Sequence, residues 1–187
     1  MKQARMMDDR RVKQAIEVLG DERERVMFLL SVRAGLRAVE IAGLTWGNVD
    51  LEGRTLLLKR TKGDKPRHVP IASDLLEALS RLKQERTGRD LPHLPVLVNT
   101  HTKGGVPLSS NAVAVWFHRL YTRRLGWEGY SSHSGRRTFA TKAARKIAMA
   151  GGSIRDVQDL LGHQFLSTTQ RYLDTDPEAQ RKIVDMI

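Results

Sequence analysis

The stretch GLRAVEIAGLTWGNVDLEGRTLLLKRTKGDKPRHVPI, residues 35–71, changes its hydrophobic period part-way through, and that change decides the fold. RAVEIAGL (37–44) spaces its apolar residues as a short helix that opens directly after a Gly-Leu pair. RTLLLKR (54–60) and RHVPI (67–71) are instead short extended runs, and TKGDK (61–65) between them carries the glycine of a turn. PVLVNT (95–100) is expected to add a third strand. Strands joined by a turn, with no crossover helix between them, predict a small antiparallel sheet and not a βαβ unit.

Outward from this segment the pattern is helical. DDRRVKQAIEVLG (8–20) sets Val12, Ala15, Ile16 and Leu19 on one stripe behind acidic residues, and DERERVMFLLSVRAG (21–35) reads as a second, more buried helix closed by Gly35. Ser73 is placed to cap a helix carrying Leu75, Leu76, Leu79 and Leu82. SSNAVAVWFHRLYTRR (109–124) puts Val113, Trp116, Phe117 and Leu120 at helical spacing, which assigns these aromatics to the core. Further helices are predicted from about Ser132 to Met149, over SIRDVQDLLG (153–162) with Ser153 and Asp156 in capping-box spacing, over STTQRYL (167–173), and over DPEAQRKIVDMI (176–187). The class is α+β, mainly α: a helical bundle with a small antiparallel three-stranded sheet, forming one domain over residues 1–187.

Composition narrows the partner. Lys and Arg total 32 against 21 Asp and Glu, a formal charge of +11, which favours polyanions and nucleic acid first among them. The absence of cysteine excludes disulfides, thiolate metal sites and a thiol nucleophile. Neither a membrane-spanning run nor a secretory signal is present, so a cytoplasmic protein is expected.

Four places carry chemistry. Arg37 follows the Gly-Leu turn, His133 and Arg136 stand three apart in HSGRRTFAT, His163 comes just after Gly162, and Tyr172 lies nine residues further on. Singly, each has an ordinary structural explanation: a surface arginine, a chance i,i+3 pair, a loop histidine, a packed aromatic. Together they resemble the catalytic domain of the tyrosine recombinase, or phage integrase, family. GLRAVEIAGL is similar to that family's first box, with Arg37 followed three residues later by Glu40. TKGDKPRHVPI resembles its hairpin, with Lys62 before a glycine. HSGRR, LLGH and STTQRYLD resemble the His-x-x-Arg, Leu-Gly-His and tyrosine boxes, in the family's order over roughly residues 20–175. Gly135 departs from the pattern, because leucine is more usual before the second arginine.

The resemblance implies cutting and rejoining of double-stranded DNA through a 3′-phosphotyrosyl link. Such chemistry needs a nucleophile, neutralisation of the non-bridging oxygens and a proton for the departing oxygen. The planar donor forks of Arg37 and Arg136 suit a phosphate clamp. Tyr172 would attack phosphorus; its hydroxyl, with an ordinary pKa of about 10, needs help, for which His133 is the candidate. By resemblance Lys62 is the general acid, although Lys59, Arg60, Lys65 and Arg67 crowd the same hairpin. His163 would donate a hydrogen bond to the phosphate, and Glu40 would support a neighbouring side chain or simply be a solvated helix carboxylate. No cofactor is expected, neither metal nor ATP, since the sequence has no H-E-x-x-H, no acidic cluster with ligand spacing and no phosphate loop.

Family members carry an N-terminal domain that clamps DNA, whereas this chain has only about 20 residues before the resemblance begins. It is either a catalytic fragment or a naturally short member. Residues 176–187 would form a tail helix, exchanged between copies or folded back, with a homotetramer on synapsed DNA and a monomer when free. The alternatives are a type IB topoisomerase-like enzyme and a non-catalytic DNA-binding regulator.

Overall fold

The computed structural model describes residues 4–58, 66–85, 92–99 and 106–162, together with residues 181 and 185. Lys62, His163, Tyr172 and most of the tail segment lie outside the described residues.

Helix α1 (Asp9–Glu17) is capped by Asp8, whose carboxylate accepts the Arg11 N–H at 2.7 Å, and α2 (Glu22–Val32) repeats the device with Asp21 and the Glu24 N–H, also at 2.7 Å. Seven consecutive residues of α2, Val26 to Val32, are buried, so this helix is the central rod of the fold. Each fully buried Leu or Phe there contributes about 1.5–3 kcal/mol. Short α3 (Ala38–Ala42) follows, and a 3₁₀ turn at Trp46–Asn48 leads into the sheet.

The sheet is an antiparallel meander in the order β1 (Val49–Asp50), β2 (Thr55–Leu58), β3 (Arg67–Pro70). The third strand is therefore Val49–Asp50, not PVLVNT. Val96 and Leu97 of that segment are fully buried, but among the described residues it makes only isolated bridges, Thr45 with Pro95 and Val98 with Pro107. Prolines at 92, 95 and 107 lack the N–H a ladder requires, so the segment packs without joining the sheet.

Helix α4 (Ser73–Glu85) packs on α2 through Leu75, Ala78, Leu79 and Leu82. Ser73 is its first helical residue rather than its cap, and its hydroxyl accepts from Arg54 Nη2 at 2.8 Å. Helix α5 (Ser110–Arg119), capped by Ser109, runs on as one π turn to Arg124. Phe117 is fully buried, while Trp116 is partly buried with its indole N–H donating to Glu24 at 2.9 Å. Helix α6 spans Ser134–Lys146, starting two residues later than the sequence suggests, and a 3₁₀ turn (Ala148–Ala150) follows it. Helix α7 (Ile154–Leu161) has the expected capping box, with the Ser153 N–H on Asp156 at 2.7 Å, and ends at left-handed Gly162. Among the described residues, no helix is long and apolar enough to cross a membrane.

The N-terminal segment is strapped onto α6. Arg137 Nη1 donates to the Ala4 carbonyl at 2.7 Å, the Met7 N–H donates to Thr138 Oγ1 at 2.9 Å, and the Met7 side chain is fully buried. The same helix meets α2 closely at Gly135. A Cβ there would stand 2.2 Å from Ser31 Oγ and 2.8 Å from Ser31 Cβ. Alanine would gain about 1 kcal/mol of helix propensity, yet overpacking costs about 1–3 kcal/mol. Gly135→Ala is therefore expected to be net destabilising, by up to about 2 kcal/mol, read as a lowered denaturant midpoint with unchanged slope.

Candidate active site

Three elements far apart in sequence meet around one carboxylate. Arg37 precedes α3 in extended conformation, and its backbone N–H donates to Glu40 Oε2 at 2.7 Å, so the acid that starts the helix also orients the arginine. Arg37 Nη1 lies 3.4 Å from Glu40 Oε1. Arg67 of β3 grips the same carboxylate with both outer nitrogens, at 2.8 and 3.1 Å. Arg136 of α6 adds a third positive charge, with Nη1 3.8 Å from Glu40 Oε2.

Arg136 also ties the site together. Nη1 donates to the Gly35 carbonyl at 2.6 Å and Nη2 to the Leu161 carbonyl at 2.7 Å, linking the turn before α3 to the last turn of α7. The Arg136 side chain is only 5% exposed, against 28% for Arg37, so Arg37 is the arginine open to solvent and Arg136 forms the floor. His133 stands at the rim, exposed, immediately before α6, and its carbonyl accepts the Arg137 N–H at 2.9 Å. The i,i+3 spacing thus places an exposed histidine one turn from a buried arginine.

Glu40 is 6% exposed and is not a solvated helix carboxylate. Burial by itself raises its pKa, but the hydrogen bonds and charge of Arg67, the Arg37 amide and the charge of Arg136 outweigh burial and hold it below the ordinary glutamate range. A folded-state pKa below the unfolded one stabilises the protein fully above the unfolded value, and the gain is lost as pH falls through the folded value. Glu40→Gln leaves buried guanidinium groups uncompensated and is expected to cost about 3–5 kcal/mol at neutral pH. Denaturation followed across pH should show this gap between wild type and variant closing below about pH 4.

The model of the phage integrase family matches residues 5–179, nearly the whole chain. The chain belongs to the phage integrase family. Among relatives, it is 37% identical over 166 residues to a protein named tyrosine recombinase XerC from Actinobacillus pleuropneumoniae serotype 7, covering 88% of this chain and 51% of the relative. It is 35% identical over 162 residues to tyrosine recombinase XerA from Thermococcus onnurineus, covering 86% of this chain and 54% of the relative. The crystal structure of XerA recombinase superposes with a TM-score of 0.79 at 25% identity, over 100% of this chain and 66% of that one. A structure of XerH site-specific recombinase bound to difH substrate shares the fold, with a TM-score of 0.75 at 22% identity over 98% of this chain and 55% of that one. The chain spans about half the length of the relatives it matches by sequence.

In this phage integrase domain, Arg67 is the buried site residue that sequence reasoning passed over, grouping it with the hairpin's other cations. A signal was present. Strand β3 alternates buried and exposed, placing Arg67 on the same inward face as Val69, and an inward arginine requires a buried acceptor. Lys62, the expected general acid, lies outside the described residues, as do His163 and Tyr172.

Proposed function

We propose that this domain is the catalytic part of a site-specific DNA recombinase, which breaks and rejoins double-stranded DNA through a 3′-phosphotyrosyl intermediate without metal or ATP. The observation that carries the proposal is the convergence of Arg37 and Arg136 on one acidic anchor, from two boxes about a hundred residues apart, in a chain of this family. Family membership supports the remaining roles, which this reading assigns to residues matched by resemblance. Tyr172 Oη bonds to phosphorus and its proton passes toward His133. The bond to the 5′ oxygen breaks, and that oxygen takes a proton from Lys62. Arg37, Arg136 and His163 compensate the charge on the non-bridging oxygens, and Glu40 holds the arginines. Reversal with a different 5′ hydroxyl rejoins the strand. Four copies on two duplexes would carry out the exchange.

Backbone contacts by a surface with this basic excess imply DNA binding that weakens steeply with salt. The test is incubation of the full chain with a nicked duplex carrying the attachment site, in the presence of a metal chelator, followed by denaturing electrophoresis. A denaturant-resistant protein–DNA adduct is expected. No adduct, or one formed only when Mg²⁺ is added, overturns the mechanism. Relaxation of supercoiled plasmid without transfer to a second duplex would assign the same chemistry to a topoisomerase.

A further inference from the structure

We propose that Arg67 is a positioning residue of the active site, locking β3, the start of α3 and the end of α7 into one frame. The inference rests on the recombinase reading above and assigns a role to a residue to which the family resemblance gave none.

Every donor nitrogen of Arg67 has an acceptor on another element. Its two outer nitrogens hold the two oxygens of Glu40 at 2.8 and 3.1 Å, and Nε donates to the Leu160 carbonyl at 2.9 Å. Glu40 passes this hold to Arg37 through the backbone N–H at 2.7 Å. The Leu160 carbonyl belongs to the last turn of α7, where carbonyls lack intrahelical donors and a cation is favoured. Arg136 takes the next carbonyl, Leu161, so two buried guanidinium groups bind successive carbonyls of one helix end. Gly162 completes the fit: its φ is +66°, and a Cβ would stand 2.8 Å from Arg67 Nη1. Gly162 therefore sits directly against the Arg67 guanidinium.

A role as a direct phosphate ligand does not fit these contacts. The three nitrogens of Arg67 are all taken up by the Glu40 carboxylate and the Leu160 carbonyl, while Arg37 is the member open to solvent. Lysine cannot replace it, because one ammonium cannot grip both oxygens of Glu40 in a planar fork and also reach Leu160.

The test compares Arg67→Lys and Arg67→Met with wild type in the full chain. Single-turnover cleavage of the nicked duplex at saturating DNA is expected to fall more than tenfold in both. DNA affinity should stay within about threefold, with an unchanged salt slope. Amide hydrogen exchange should quicken at Arg37, the amide bonded to Glu40, but not along Val113–Phe117 of the core helix α5. Wild-type cleavage in Arg67→Lys overturns the proposal, as does a salt slope lowered by about one, which would mark a phosphate contact. Exchange raised equally in α3 and α5 would reduce Arg67 to a core-stability residue and also overturns it. If Arg67→Met fails to fold, Arg67→Lys decides. If wild-type protein forms no adduct, the recombinase reading fails, and the Arg37 exchange rate still decides whether Arg67 holds that site.

Discussion

Tyr172→Phe is expected to give no covalent protein–DNA adduct under conditions where wild type accumulates one, while DNA affinity changes by less than about threefold. The substitution keeps the ring and its packing and removes only the attacking oxygen, so it separates nucleophile from packed aromatic. The fold makes the test sharp, because the chain has three tyrosines and the other two are committed elsewhere. Tyr121 is fully buried, and burial pushes its hydroxyl well above the ordinary tyrosine range, with Tyr130 adding to the effect. Its ring stacks on Trp127, with centroids 6.1 Å apart. Tyr130 is 8% exposed, and its hydroxyl donates to the Met6 carbonyl at 3.3 Å, holding the N-terminal strap. Neither is placed to reach a phosphate. An equal adduct from Tyr172→Phe would overturn the assignment, and electrophoresis under denaturing conditions reads it directly.

Arg136→Ala is expected to lower single-turnover cleavage by about 10²–10³-fold, the usual cost of removing one preorganised donor. Unlike Arg37→Ala, it should also destabilise the fold. It strands the Gly35 and Leu161 carbonyls, each worth about 1–3 kcal/mol as an unsatisfied buried acceptor, and deprives Glu40 of one counter-charge. Arg136→Lys restores the charge without the fork, so part of the stability should return while cleavage stays low. Denaturant midpoints and cleavage rates measured on the same variants separate the two effects. Weakened DNA binding with unchanged single-turnover cleavage would instead make Arg136 a docking residue.

Glu40 and Arg67 show where sequence reasoning stopped. The Glu40 position was readable from its spacing three residues after Arg37, but its burial was not. An amphipathic five-residue helix leaves open which side faces the sheet, and only the arrival of β3 above it removes the solvent. Arg67 was readable as inward-facing by strand alternation, yet nothing local names its partner, 27 residues earlier in the chain. The third strand was misplaced for a related reason. PVLVNT has the apolar content of a strand, while Val49–Asp50 is too short to announce itself and becomes one only by pairing Val49 with Leu56 and Asp50 with Thr55.

Glycine at position 135 tells the same story from the other side. In the sequence it is only a weak point in a helix. In the fold it is where α6 touches Ser31 of α2, and the space left for a side chain is less than a methyl group.

The sequence by itself determined the helix boundaries at Asp8, Asp21 and Ser153, the antiparallel hairpin, the basic charge, and the ordered boxes from Arg37 to Tyr172 that mark the family. These are short-range signals, because caps, turns and amphipathic stripes act between residues three or four apart. Only the tertiary structure decided that Arg37, Arg67 and Arg136 surround one buried carboxylate, with Arg37 facing solvent and the other two clasping the end of α7. The bonds that Arg67 and Arg136 make in this cluster, the one to Gly35 included, span 25 to 101 positions in the chain. A buried charge gains its partner only when helices and sheet close around it, and no local pattern records which residues that closure brings together.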